Sequence, residues 1–316
     1  DGDGDGDGDG DGDGDGEPLE GWPIGVPYPD FGVDETVESV HGDAGYYTHY
    51  VDNTVACSDD GPGTAESPRC NVPFQGLSGG DVVFIAAGEY PINDVNFQLP
   101  GSADSPVFLR GPAEGPRPVF AGTPQDTAKF DFEGSYAIVE NIEVAYGRMR
   151  AMGDHIAIRN VRTHNSSHTG VSLTGQHMML LDSEVDHHQT TNRLGVNGGC
   201  GATDVWVVRN HIHHNAEDSI QFGHGCDGNQ PTNLYFGLNR MHSDRENAVD
   251  LKWVRNVIVS QNEMYGYVPA PTNQEFCYDD DSRCDPPGFH SSGSDGSASI
   301  VGADGTTENI YYLLND

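Results

Sequence analysis

The sequence predicts an all-β solenoid, with short strands stacked coil upon coil. Three observations carry this. First, a short apolar alternation ending in Asn or Asp recurs from residue 136 onward: "YAIVENIEVAYG", "HIAIRNVRTHN", "HMMLLDSEVDHH", "DVWVVRNHIHHN", "NLYFGLNRMHSD", "NVIVSQNEMYGY" and "NIYYLLND". Its polar markers are Asn141, Asn160, Asp182, Asn210, Asn239, Asn262 and Asn315, separated by 19, 22, 28, 29, 23 and 53 residues. A period in the twenties with period-two alternation inside it reads as one strand-rich coil per repeat. Second, another alternating stretch recurs between markers: "TGVSLTG", "NRLGVNG", "DSIQFGH", "NAVDLKW" and "GSASIVG". Third, Gly and Asn turns are frequent and no segment has convincing helical periodicity.

In chain order, residues 1–22 read as an acidic, Asp-Gly-rich disordered linker, 23–45 as a transition segment, and 46–316 as the solenoid. The linker formally satisfies a calcium-loop pattern at Asp9, Asp11, Asp13, Gly14 and Glu20. With Asp and Gly alternating, that pattern matches in many registers, and no helix can precede it. Gly flexibility and like-charge repulsion make it an extended tether, one that spaces the protein off a surface. At the other end, "YYLLND" stops halfway through a coil without a polar cap, so the solenoid is expected to be truncated.

In the second strands, the pairs Val171/Leu173, Leu194/Val196, Ile220/Phe222 and Val249/Leu251 are expected to point inward. The residues between them would face out. One outward column reads Thr174, Asn197, Gly223, Lys252, Val301, and the next Ser172, Gly195, Gln221, Asp250, Ser299. The marker Asn are expected to stack and satisfy buried turn amides.

The formal charge is −35, and removing the eight Asp of the first 16 residues still leaves −27. Lys129 and Lys252 are the only Lys. Nucleic acid is therefore excluded as a partner, because phosphate-neutralising cations are too few. No apolar run approaches the length of a transmembrane helix. Six Cys form three neighbouring pairs: Cys57 with Cys70, Cys200 with Cys226, and Cys277 with Cys284. Their even number and pairwise placement favour three disulfides and an oxidising compartment.

"YYTHYVDNTVACSDDGPGTAESPRCNVPFQGLSGGDVVFIAAGEYPI" (46–92) resembles the N-terminal lead-in of secreted bacterial right-handed parallel β-helix proteins. "SPVFLRGPAEGPRPVFAG" resembles the first coil that follows, and the resemblance covers roughly 46–316. It implies a right-handed parallel β-helix, secreted or held at the cell surface, acting on polysaccharide.

Within "ENAVDLKWVRN", Lys252 shares an outward face with Asp250. The segment is similar to the base-bearing strand of alginate-, chondroitin- and some pectate-lyase-like β-helix lyases. That resemblance implies that Lys252 takes the C5 proton of a uronate in a β-elimination. Such a proton is weakly acidic, so its removal needs a base near neutral pKa and a cation on the carboxylate. Ca2+ suits the second task, with Asp218, Glu246 and Asp250 as its ligands. The alginate-lyase-like pattern also places an Arg on the following coil, where this sequence has Ile300, Val301 and Gly302. A surface Asp250–Lys252 ion pair explains the same two residues without catalysis. A non-catalytic, glycan-binding solenoid therefore competes with the lyase. A hydrolase using Asp218 and Asp250, or a uronate epimerase, is a further alternative.

His164, His187, His188, His213, His214 and His242 follow the markers on successive coils. In "HIHH", His211 and His213 alternate onto one face and His214 onto the other, an arrangement open to a metal or to turn hydrogen bonds. His214 is an acid candidate and His188 a sugar contact. Gln221, Asn197, Arg245, Tyr265 and Tyr267 complete the expected substrate-binding set. Trp253, Phe276 and Tyr278 are further aromatic candidates.

Overall fold

The computed structural model describes residues 21–91, 94–123, 128–188, 193–226, 228–267, 296–302 and 306–316. They form a right-handed parallel β-helix whose coil has three faces. The first face stacks Val171–Leu173, Val196–Gly198, Ile220–Phe222, Val249–Leu251 and Ser299–Val301. The second stacks Gln176–Leu181, Thr203–Val208, Thr232–Gly237, Arg255–Ser260 and Glu308–Leu313. The third stacks Arg162–His164, Glu184–Asp186, His211–His213, Arg240–His242 and Glu263–Tyr265. All pairings between successive coils are parallel. The thirteen-residue strands Ala128–Glu140 and Gly147–Arg159 run through the first two faces without a break.

Alternation explains the core. Val171, Leu173, Val196, Ile220, Phe222, Val249 and Leu251 point inward and are fully buried. Each such side chain stabilises by about 1.5–3 kcal/mol relative to exposure. The core opens at the last coil, where Val301 and Leu314 are exposed.

The marker column divides in two. Asn141, Asn160 and Asp182 occupy a left-handed corner position with positive φ, which passes to Arg209, Leu238 and Gln261 on later coils. The next position inward carries the buried ladder. Asn210 N donates to Asn239 Oδ1, Asn239 N to Asn262 Oδ1 and Asn262 N to Asn315 Oδ1, each at 2.9 Å. These amides satisfy backbone groups that would otherwise be orphaned at the corner.

The segment read as a transition is a strap across the second face. Outward side chains there are apolar: Val82, Phe108, Ile138, Ala157, Met179 and Trp206. Trp22, Val26, Phe31 and Val37 seal them. Arg159 donates to the carbonyls of Gly32, Val33 and Glu35, and Trp206 Nε1 to that of Pro27. The strap ends in a five-residue helix, Val37–His41, capped by Thr36 and Ser39 and stopped by Gly42. Helical periodicity is unreadable over so short a span.

Two of the three expected disulfides are present, Cys57 bonded to Cys70 and Cys200 bonded to Cys226. The third expected pair differs: Cys277 and Cys284 both lie outside the described residues. So do Phe276, Tyr278 and the Asp-Gly run.

Candidate functional site

Among the described residues no strap lies over the first face. Its outward column runs Asp131, Arg150, Ser172, Asn197, Gln221, Asp250, Ile300. Neighbouring rungs are about 4.8 Å apart, so side chains from several coils can meet one sugar unit. This register corrects three expected placements. Asn197 stands level with Gln221 and Asp250, not with Lys252, and Leu194 precedes its strand. The cause is Gly198, which takes an inward position where an apolar residue was expected. A Cβ there would lie 1.9 Å from Phe222, whose ring fills the space from the next coil. On the last coil Ile300, not Ser299, continues the column.

Around Asp250 the groups are tightly linked. Gln221 Nε2 donates to Asp218 Oδ2 and to Asp250 Oδ2, 2.9 Å each. Asp218 Oδ1 accepts from the backbone N and Nδ2 of Asn247, at 3.1 and 2.7 Å. Lys252 Nζ lies 3.0 Å from Asp250 Oδ2, with its side chain 23% exposed. Gly223 lets that strand pass. It has φ +85, and a Cβ there would sit 1.5 Å from the Lys252 carbonyl. Gly302 N donates to Leu251 O, so the coil beyond Lys252 presents a glycine where an Arg was looked for.

Electrostatically the patch is crowded with negative charge. Burial, then the Asp250 and Glu246 charges, raise Asp218 well above the usual carboxylate range. Burial and Glu246 push Glu217 up to about 7, although Lys252 and Arg193 pull it down. Glu217 is the residue that sequence reasoning missed. Its signal was the match of "EDSI" to "ENAV", which sets Glu217 beside Glu246; Glu246 N donates to Glu217 O.

The expected calcium ligands meet only in part. Asp218 and Asp250 share Gln221, but Asp218, Glu246 and Asp250 are not among the groups whose ligand atoms converge within 4.8 Å. The donor chemistry still fits a hard cation. Asp250 is buried, and its Oδ1 has no hydrogen-bond partner among the described residues; Asn197 Oδ1 has none either.

Other expected contacts lie elsewhere. His188 is fully buried, with Nε2 3.1 Å from Thr163 O and a pKa lowered to about 4, chiefly by burial. It offers no surface to a sugar. Arg245 is buried in the turn before Glu246. Tyr267 is partly buried against the core, its hydroxyl 2.6 Å from Ser219 Oγ. Tyr265 is exposed but belongs to the third face, stacked on His242. His214 is there too: it stacks on His187, and its Nδ1 lies 2.7 Å from His213 Nδ1. Its ring packs against those of His187, His213 and His242.

No family model and no curated protein matches the chain by sequence. Solved structures match it in fold. Pectate lyase Pel9A superposes with a TM-score of 0.55 at 15% identity, over 72% of this chain and 65% of its own. The chain thus spans just under two thirds of that enzyme's length. A GH136 lacto-N-biosidase from Eubacterium ramulus gives 0.49 at 12% identity, over 84% of this chain and 68% of its own. A rhamnogalacturonan lyase gives 0.43 at 16%, over 69% and 75%. The likeness to Pel9A is one of fold, the parallel β-helix.

Proposed function

We propose that this chain is an extracytoplasmic, carbohydrate-active β-helix protein that cleaves a uronate-containing polysaccharide by β-elimination on its first face. The observation that carries this is Lys252, held 3.0 Å from the buried Asp250 on an outward row of polar side chains that no other segment covers among the described residues. The β-helix it shares with Pel9A makes that face a natural groove for a polymer, and two disulfides suit an oxidising compartment. The Asp-Gly run would tether it.

In this reading Lys252 removes the C5 proton of a uronate. The electron pair forms the C4–C5 double bond, and the C4–O glycosidic bond breaks. A free Lys titrates near ~10.4, and adjoining carboxylates favour its charged form. Ca2+ anchored at Asp250 would supply positive charge for the substrate carboxylate and offset the field of the carboxylates on Lys252. Asn197 and Gln221 position sugar hydroxyls along the row. Glu217, poised at about 7, is suited to hold the proton that the leaving oxygen needs.

Pectate, alginate and chondroitin should be tested with calcium and with chelator, following the near-ultraviolet absorbance of the unsaturated product. Lys252→Ala is expected to lower the rate by about 10²–10⁴-fold. If no polymer gives a rise with calcium present, the lyase reading fails for those substrates. A glycan-binding solenoid predicts binding that Lys252→Ala leaves intact. The near-neutral Glu217 favours one second reading, glycoside hydrolysis with Glu217 as acid and Asp250 as its partner. That reading predicts new reducing ends without unsaturation, abolished by Glu217→Gln.

A further inference from the structure

The third face carries a second cluster, of different chemistry. His211 and His213 flank the inward Ile212 on one strand, so both point outward. His242 stands in register with His213 on the next coil. One ring nitrogen from each of the three lies within 4.8 Å of the others. His211 Nε2 and His242 Nε2 are 2.8 Å apart, and the His213 and His242 rings stack at 5.1 Å.

We propose that His211, His213 and His242 form a binding site for a borderline divalent transition ion of the zinc, cobalt and nickel class. Imidazole nitrogens suit such ions, whereas calcium prefers hard oxygen ligands, so this site is distinct from the acidic patch of the first face. The pair His211 and His242 needs little adjustment. Two nitrogens bound to one tetrahedral ion at about 2.0–2.1 Å stand about 3.3 Å apart, so the 2.8 Å pair opens by only about half an ångström. The ligands sit on strands whose spacing the core fixes, so the cluster is pre-organised.

Neighbouring groups support it. Glu184 Oε1 lies 3.2 Å from His213 Nε2, and Glu184, Asp186 and His213 form a second converging group that shares His213. Arg162 already pairs with both of those carboxylates, which leaves the histidines as the better ligands. On the far side Tyr265 stacks on His242 at 4.7 Å and accepts from Arg240. The remaining convergent group, Asp154, His155 and His177, is less accessible: His155 is buried and stacked between Tyr136 and His177. Three protein nitrogens leave one tetrahedral position open to water or a ligand oxygen.

The test titrates the full chain with Co2+, following its visible absorption. One equivalent is expected to bind with a tetrahedral-type band that Zn2+ displaces and Ca2+ does not. His242→Gln and His211→Gln should each lower the affinity at least tenfold, while Asp250→Asn leaves it unchanged. A folded variant, judged by circular dichroism, that still gives the wild-type band overturns the site, as does displacement by Ca2+. X-ray absorption of the wild-type chain holding one equivalent of Zn2+ needs no variant to fold. Two or three imidazoles around the ion support the site, and an all-oxygen shell overturns it.

Discussion

The first and second faces of this molecule are made by the same coils, yet they end in opposite ways. On the second face the outward side chains are Phe108, Ile138, Met179 and Trp206, and a strap from the N-terminal side seals them. On the first face the equivalent row is Ser172, Asn197, Gln221 and Asp250, and it keeps a buried carboxylate oxygen without a partner among the described residues. The interior beneath both is one continuous apolar column. Stability is therefore concentrated inside and under the strap. Among the described residues the first face carries charge that the fold does not fully compensate.

Three changes sharpen this contrast. The largest effect is expected under the strap. Phe31 is buried and packs edge-on to Tyr136 at 5.2 Å. Phe31→Ala should cost about 3–5 kcal/mol in urea unfolding, with activity per folded molecule unchanged. A loss of specific activity in the folded variant would show that the two faces are not independent.

Next comes the charge on the first face. The raised pKa of Asp218 means that the folded chain holds a proton the unfolded chain releases. Its contribution to stability is full below the ordinary carboxylate value and is lost as pH rises toward the raised one. His188 and His242, lowered to about 4 chiefly by burial, act in the opposite sense, since the unfolded chain binds protons there up to about pH 6.5. Glu217 and Asp244, both raised to about 7 chiefly by burial, act in the same sense as Asp218, so a variant is needed to isolate one group. Asp218→Asn should gain on wild type steadily as pH rises above the ordinary carboxylate range. A difference that stays flat there would contradict the assignment of Asp218.

The smallest effect belongs to the corner between the second and third faces. Asn239 Oδ1 accepts from Asn210, and its Nδ2 donates to the carbonyl of Val207 at 2.8 Å. Asn239→Ala should cost about 1–3 kcal/mol through the groups left unpaired. An unchanged unfolding midpoint would mean that water replaces the amide.

Much of this was legible in the sequence because repetition is a strong signal. The inward pairs Val171/Leu173 and Val249/Leu251 and the Asp250–Lys252 pair follow from alternation alone. Spacing likewise pairs Cys57 with Cys70 and Cys200 with Cys226, whereas the same reading of Cys277 and Cys284 falls outside the described residues. Asn197 was displaced because one coil exchanges volume with its neighbour: Gly198 yields its place to the Phe222 ring, so the apolar pattern slipped. His188 and Tyr267 turned inward because the turn between the third and first faces is itself packed, which a list of polar residues does not reveal. The strap was hidden for a related reason. Runs such as "MMLL" and "VWVV" are apolar on both sides of the strand and so call for a cover, but nothing local says that residues 22–37 supply it. The third-face cluster needed the register between His213 and His242, which spacing of 28 and 29 residues left ambiguous.

The strap also constrains the order of events during synthesis. Residues near its start join the latest coils: Ile24 O accepts from Ser260 Oγ, and Trp206 reaches Pro27. Residues near its end lie against Val82 and Phe108 on the earliest. The strap is made before the coils it covers, so it has no complete surface to lie on until some 236 residues more have been made. Closing so long a loop is entropically slow and comes after the coils have formed locally. The strap works as a clasp fastened at the end, and until then Trp22, Phe31 and the row they cover stand open to other chains.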